Sequence, residues 1–391
     1  MESIFDKQVE RYHTNCVKWD QLEELYGSKD LMGMWVADSD FACPQPLTDA
    51  LVKRAQHGIF GYTYRPNYFF EAFIAWNQKR NNFFIKREWM TVTPGVVAAI
   101  NWAVKVYTEP GDSIIVQPPV YYPFYAAVKN SGRKLLENTL IEKDGYYTMD
   151  LESLKAQITD RTKMIILCSP HNPIGRVWTK EELLALTKIC VEHNIIIVSD
   201  EIHSDLIMPG YKHTSTATLS QEVADLTITC MAPSKTFNVA GLETAVAVIP
   251  NEKLRKPYID FQNSIGIKMS NVFGIEAFIV AYTQCDDWLE KELAYIAANA
   301  KYMQEFVTQH LPGFKTSPLE GTYLMWLDCR CLKMTAKELD DFFVQKVKVA
   351  LDGGDLFGVS GEGFMRFNLA TPRANVKQVL LNLENAVKKL N

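Results

Sequence analysis

Along residues 89–250, short runs of consecutive apolar residues alternate with longer stretches whose apolar positions recur every three or four residues. Residues 91–93 lead into a helical pattern at 96–107, and residues 113–117 into another at 123–130. Residues 163–168 lead into 180–193, and further strand-like runs follow at 195–199, 226–231 and 244–249. The runs MIILC, NIIIVS and LTITCM are apolar at successive positions, so both faces of each strand need cover. Doubly covered strands that alternate with helices predict an α/β core built on a parallel sheet.

The pattern then changes. A continuous helical periodicity covers 286–310 and ends at Pro312-Gly313. Strands are expected at 322–328 and 364–369, and 375–390 closes the chain as a helix. This order predicts a smaller α+β layer apart from the parallel sheet. Residues before Pro46 show little regular pattern and are expected to form an arm that packs elsewhere. We therefore place a large domain at 46–283 and a smaller one at 1–45 together with 284–391.

Composition narrows the class. Of 391 residues, 47% are hydrophobic and 22% charged, which excludes a disordered or collagen-like chain and leaves material for a large core. A formal net charge of −5 gives no overall pull toward nucleic acid or anionic lipid. The first residues, MESIFDKQVERYHTN, are too charged for a signal peptide. The apolar runs are strand-sized, well short of the roughly 20 residues that span a bilayer. Eight scattered cysteines form no CxxC, and the histidines complete no zinc spacing, so reduced thiols and no metal are expected. These features predict a cytoplasmic protein that engages neither nucleic acid nor membrane.

Ligands of open α/β sheets gather at the carboxyl ends of strands, so the polar residues there deserve questioning. Pro94-Gly95-Val96-Val97 stands between a strand and a helix. Gly95 would let N–H groups at the helix start approach a phosphate, although Pro-Gly is also ordinary turn chemistry. Asn172 is held between two prolines in Cys-Ser-Pro-His-Asn-Pro-Ile-Gly, either presenting its amide to a ligand or bonding its own backbone. Asp200, in Asp-Glu-Ile-His, ends a buried strand, where a carboxylate needs a cation or hydrogen bonds; a helix cap or structural ion pair is the alternative. Lys235 lies in an apolar, Ser/Asn-containing turn, where desolvation would make it a nucleophile and base able to form a Schiff base. A lone surface lysine is the plain alternative.

Together these residues meet the needs of pyridoxal phosphate. That cofactor requires an anion site, an aromatic wall (Tyr121-Tyr122), a donor to its phenolic oxygen, a carboxylate at its ring nitrogen and a lysine for its aldehyde.

In this order PGVV, PPVYYPF, SPHNPIGRVW, SDEIH and PSKTFN resemble the pyridoxal-phosphate enzymes of the aspartate-aminotransferase fold. Within that fold, WVADSDF at 35–41 is similar to W-V-A-D-M-D-F, the marker of the cystathionine β-lyase branch, the MalY/PatB/cystalysin family. EKDGYYTMD, DLIMPGYKHT and EGTYLMW look especially like cystalysin, a cysteine desulfhydrase, and the likeness covers essentially the whole chain.

The resemblance implies a mostly parallel seven-stranded sheet covered by helices, with a smaller α+β domain beside it. By position it implies that Lys235 links to the aldehyde, Asp200 pairs with the pyridine nitrogen, Asn172 bonds the phenolic oxygen and Tyr121 stacks on the ring. Gly95, Val96, Val97 and Ser234 would hold the phosphate. Tyr62, in GYTY, matches a tyrosine that reaches the phosphate from the neighbouring subunit, which implies a homodimer with shared sites. Arg366, in MRFNLATP, matches the arginine that clamps the substrate α-carboxylate, with Ala37, Tyr122 and Asn172 beside the substrate.

Two positions depart from the aminotransferases of this fold. Where many carry an arginine eight residues after the lysine, this chain has Glu243, which is expected to turn away from the phosphate. Where they carry a tyrosine near the phenolic oxygen, it has His203. Both differences favour the lyase branch. The implied reaction is α,β-elimination of L-cysteine, L-cystathionine or a related cysteine S-conjugate to pyruvate, ammonia and a thiol. Lys235 would act as base, and Lys235 or Tyr121 would protonate the departing sulfur. An aminotransferase on the same scaffold is one alternative. A regulatory protein that binds a transcription regulator is another.

Overall fold

The computed structural model describes residues 3–390. Its main sheet comprises β1 (Met90–Thr93), β2 (Ser113–Val116), β3 (Lys134–Glu137), β4 (Thr162–Cys168), β5 (Ile196–Asp200), β6 (Thr227–Met231) and β7 (Ala245–Val248). Their spatial order is β1-β7-β6-β5-β4-β2-β3. The run from β6 to β3 is parallel, whereas β7 is antiparallel to both neighbours, β1 and β6. The expected seven-stranded, mostly parallel sheet is therefore present, with β7 as the reversed strand.

Side-chain alternation explains why β4 is apolar throughout. Met164, Ile166 and Cys168 join one core with Ala99, Ile100, Phe124 and Tyr258 from the helices Val96–Tyr107, Pro123–Lys129 and Glu252–Ser264. Ile165 and Leu167 point the other way, into a core with Leu183, Leu186 and Ile189 of the helix Lys180–Glu192. That helix begins with a capping box: Thr179 Oγ1 accepts from Glu182 N–H at 3.1 Å, and Glu182 accepts from Thr179 N–H at 2.8 Å. The strand β3 had no counterpart in the sequence pattern. It is a half-exposed edge strand, so its residues Lys134-Leu135-Leu136-Glu137 carry no two-faced apolar signal.

A second sheet contains β8 (Lys315–Thr316), β9 (Leu324–Asp328), β10 (Asp352–Gly353) and β11 (Phe364–Asn368), in the order β8-β9-β11-β10, antiparallel throughout. The helices Asp286–His310 and Arg373–Lys388 share its core, burying Leu289, Ile296 and Met303 from the first and Val376, Val379 and Leu383 from the second. The amino-terminal arm is more regular than expected. It holds two short helices, Val17–Asp20 and Leu22–Tyr26, and a strand, Met32–Gly33, paired in parallel with Val349–Ala350. Elements of a single turn are too short to show a period.

The arm next passes over the strand ends. Asn368 Nδ2 donates to the carbonyls of Val36 and Asp38 at 2.8 and 2.6 Å, which fastens residues 36–38 to β11. Among the described residues no helix is long and apolar enough to cross a membrane.

Candidate active site

At the carboxyl ends of β4, β5 and β6 lies a cavity of about 180 Å³. Its lining includes Ala37, Gly95, Val96, Val97, Tyr121, Asn172, Asp200, His203, Ser234 and Lys235. Residues from six separate stretches of sequence thus meet at one site.

Lys235 enters from the loop after β6, and its Nζ donates to the Ala37 carbonyl at 2.6 Å. That oxygen also accepts from the Tyr323 hydroxyl at 2.9 Å. Burial lowers the lysine's pKa to about 8, with Arg366 pushing the same way and Asp38 and Asp200 opposing. About a tenth of the amine is therefore unprotonated at pH 7, far more than for an ordinary lysine.

Asp200 is the last residue of β5, flanked in register by Cys168 on β4 and Cys230 on β6. It is 4% exposed, and among the described residues its one side-chain hydrogen bond comes from Ile202 N–H at 3.1 Å. Burial pushes its pKa up to about 7, over the opposing effects of that bond and of Lys235. A buried carboxylate this poorly matched calls for a positive partner from the cavity side.

His203 lines the same cavity three residues on. Burial, then the charges of Lys235 and Arg366, hold it well below the ordinary imidazole range, so it is neutral. Among the described residues its Nδ1 is buried without a hydrogen-bond partner, and its ring meets Tyr323 edge-on at 5.9 Å. Tyr121 packs edge-on to Phe124 at 5.8 Å, and burial raises its phenol above the ordinary range, so it keeps its proton.

Asn172 Oδ1 accepts from Arg366 Nη1 at 3.0 Å, which commits the carbonyl end of the amide and leaves its N–H donors available. Arg366, on β11, is 2% exposed and stands behind Asn172 rather than among the cavity's lining residues. Tyr122 also lies outside that lining, half-exposed, with its ring 6.0 Å from that of Phe357. Tyr62 is 98% exposed and takes no part in the cavity of its own chain. Glu243 is exposed, has a left-handed backbone (φ 46°) and is among the residues that line the cavity.

Several residues that hold this geometry carry no single-residue signal in the sequence. Asn238 clamps the lysine loop to the arm: its Nδ2 donates to the carbonyls of Ser39 and Phe41 at 2.9 and 3.1 Å, and its Oδ1 accepts from Ser39 N–H at 3.2 Å. Asp38 and Asp40 are met by Arg11 at 2.6 Å each and by the buried Lys18 at 3.5 and 3.0 Å. The motifs WVADSDF and PSKTFN marked the segments; the contacts between them needed the fold.

The residues present suit pyridoxal phosphate on two structural counts. Among the described residues, a Cβ placed on Gly95, whose backbone is extended, meets no atom within 4 Å, so open space fronts the start of the helix Val96–Tyr107. N–H groups at a helix start favour an anion there. Asp200 lines the same cavity, and among the described residues it makes no salt bridge, which suits a protonated ring nitrogen.

A mostly parallel seven-stranded sheet with a lysine after β6 and a carboxylate ending β5 is the arrangement of aminotransferase-fold proteins. The chain belongs to the family described as aminotransferase class I and II, which matches residues 29–383. More particularly, it is 42% identical over 384 residues to cystathionine beta-lyase PatB of Bacillus subtilis (strain 168), covering 98% of this chain and 99% of that protein. It is 30% identical to Protein MalY of Escherichia coli (strain K12), over 98% of each chain. Among solved structures, it aligns along the full length of both chains, with a TM-score of 0.97 and 36% identity, with cystalysin from Treponema denticola, which contains pyridoxal 5'-phosphate.

Proposed function

We propose that this protein is a pyridoxal-phosphate-dependent carbon–sulfur lyase. It converts L-cysteine, L-cystathionine or a related cysteine S-conjugate to pyruvate, ammonia and a thiol. The observation that carries the reading is the pairing, in one cavity, of a lysine with a pKa of about 8 and a buried carboxylate short of a cationic partner. The β-lyase names of the relatives supply the reaction class.

When bound, the cofactor supplies an aldehyde for amines and a ring that absorbs electrons from the substrate's α-carbon. The protein's residues do the rest. Gly95, Val96, Val97 and Ser234 hold the phosphate through neutral donors, Asn172 donates to the phenolic oxygen, and Tyr121 covers the ring. Asp200 keeps a proton on the ring nitrogen, which its buried negative charge favours. His203 stands by the ring as a neutral group.

Arg366 and the backbone at Ala37 orient the substrate carboxylate, with Tyr122 beside it. This directs the Cα–H bond at Lys235. Lys235 takes that proton as base, and Lys235 or Tyr121, still protonated, gives one to the leaving sulfur.

We place the division at residues 46–283 against 1–45 with 284–391, so that the site lies between the two parts. The protein acts in the cytoplasm as a homodimer in which Tyr62 completes the partner's phosphate site; its full exposure supports this reading. The deciding assay follows pyruvate, sulfide and homocysteine with cysteine and with cystathionine as substrates. Pyruvate and thiol released without any added 2-oxo acid are expected. Product formation that requires such an acceptor would instead make the protein an aminotransferase.

A further inference from the structure

Arg366 is not a free cation. Antiparallel pairing of β10 with β11 places Asp352 directly opposite it, and the Asp352 carboxylate accepts from Arg366 Nη2 in a short buried ion pair. The same Nη2 donates to the Trp35 carbonyl at 2.7 Å, and Nη1 donates to Asn172 at 3.0 Å. The guanidinium lies 5.0 Å from the centre of the Phe357 ring, and among the described residues its Nε–H is buried without a partner. Three parts of the chain therefore fix one guanidinium, and just one of its partners carries charge. Asp352 is 5% exposed and has no other side-chain hydrogen bond among the described residues. Behind it, Gly353 lets two more acids crowd in: a Cβ there would stand 2.7 Å from Asp355 Oδ1 and 2.9 Å from Asp340 Oδ1.

We propose that Asp352 is a positioning residue for Arg366, and that this pair, rather than the arginine alone, sets how strongly the site holds an amino-acid carboxylate. The proposal rests on the reading of Arg366 as the carboxylate clamp. Asp352 holds the guanidinium in its plane and also offsets its charge, so an incoming carboxylate meets a cation that is already matched. The site trades affinity for orientation. Asn at 352 would keep an acceptor for Nη2 while removing the competing charge. Ala would remove both.

The test uses the cofactor-loaded protein with two probes that lack a β leaving group and so cannot undergo elimination, read from the initial change in the bound cofactor's absorption. L-Alanine carries both the α-amino group and the α-carboxylate. L-Alaninamide lacks the carboxylate. Asp352→Asn should tighten L-alanine by at least about tenfold, as removing one unit charge beside a buried cation requires, and leave L-alaninamide unchanged. Asp352→Ala should show no such gain, because Nη2 then also loses its side-chain acceptor and the guanidinium is no longer held in the plane that meets the carboxylate. An Asn variant that binds L-alanine no better than wild type overturns the proposal. So does an Ala variant that gains as much as the Asn variant. Arg366→Gln should abolish the preference for L-alanine over L-alaninamide; a preference that survives overturns the clamp reading itself.

Discussion

Replacing Asp200 by Asn should stabilise the cofactor-free protein while disabling it. A carboxyl whose pKa rises from 3.8 when unfolded to about 7 when folded binds more protons in the native state between those values. Folding stability from this group is therefore lost as pH climbs through that window. By linkage the native carboxylate costs about 4 kcal/mol at pH 8 and less than half of that at pH 5. Asparagine does not titrate, and its Oδ1 can still accept from Ile202 N–H as Asp200 does now. Urea unfolding of the cofactor-free proteins, followed by circular dichroism, should show the variant more stable at pH 8 by about 2–4 kcal/mol, with the gap shrinking by at least half at pH 5. Adding pyridoxal phosphate should reverse the order, because wild type then gains the cationic partner its carboxylate lacks. A cofactor-free variant no more stable than wild type at pH 8, or a gap indifferent to pH, would show that Asp200 carries no such burden in the folded protein.

Other consequences are simpler to state. Lys235→Ala should abolish both turnover and the covalent cofactor chromophore, with far-ultraviolet circular dichroism unchanged. In the cofactor-free protein, reductive methylation of Lys235 mapped by mass spectrometry should reach half its maximal rate near pH 8, against an ordinary lysine value of 10.5. Gly95→Ala puts a methyl group into open space without backbone strain, so stability should stay within about 0.5 kcal/mol while cofactor affinity falls at least about tenfold, measured by spectral titration. Asn238→Ala removes three hydrogen bonds at a left-handed position (φ 56°) and should cost about 3–4 kcal/mol in urea unfolding.

Much of this architecture was legible because burial leaves a local signature. The strands β4, β5 and β6 are apolar on both faces because each face meets a different core. Asp286–His310 shows its period over 25 residues. The cofactor-site residues were legible for a related reason. Asn172, Asp200 and Lys235 each fall at the end of a buried strand or within four residues beyond it, and their common order suggested one ligand. Edge strand β3 and the one-turn helices of the arm were not legible, since a half-exposed strand or a single turn repeats nothing. The reversal of β7 was also hidden, because the run at 244–249 is as apolar as its parallel neighbours.

The hardest part to foresee was the set of groups that make the cavity residues effective. Lys235 is held by a carbonyl, that of Ala37, and a backbone oxygen has no sequence identity at all. The carbonyl stays in place because Asn238, Asn368 and Tyr323, spread over more than a hundred residues, fasten the arm from three sides. Arg11 and Lys18 then neutralise the acids of the same segment. Each of these side chains alone reads as an ordinary polar residue. Their convergence costs chain entropy that no local pattern encodes. The lysine's lowered pKa depends on that convergence, because the arm closes the cavity over Nζ and desolvates it. Chemistry could thus be assigned from strand ends, but the state of the base depends on a segment that folds back from the other end of the chain.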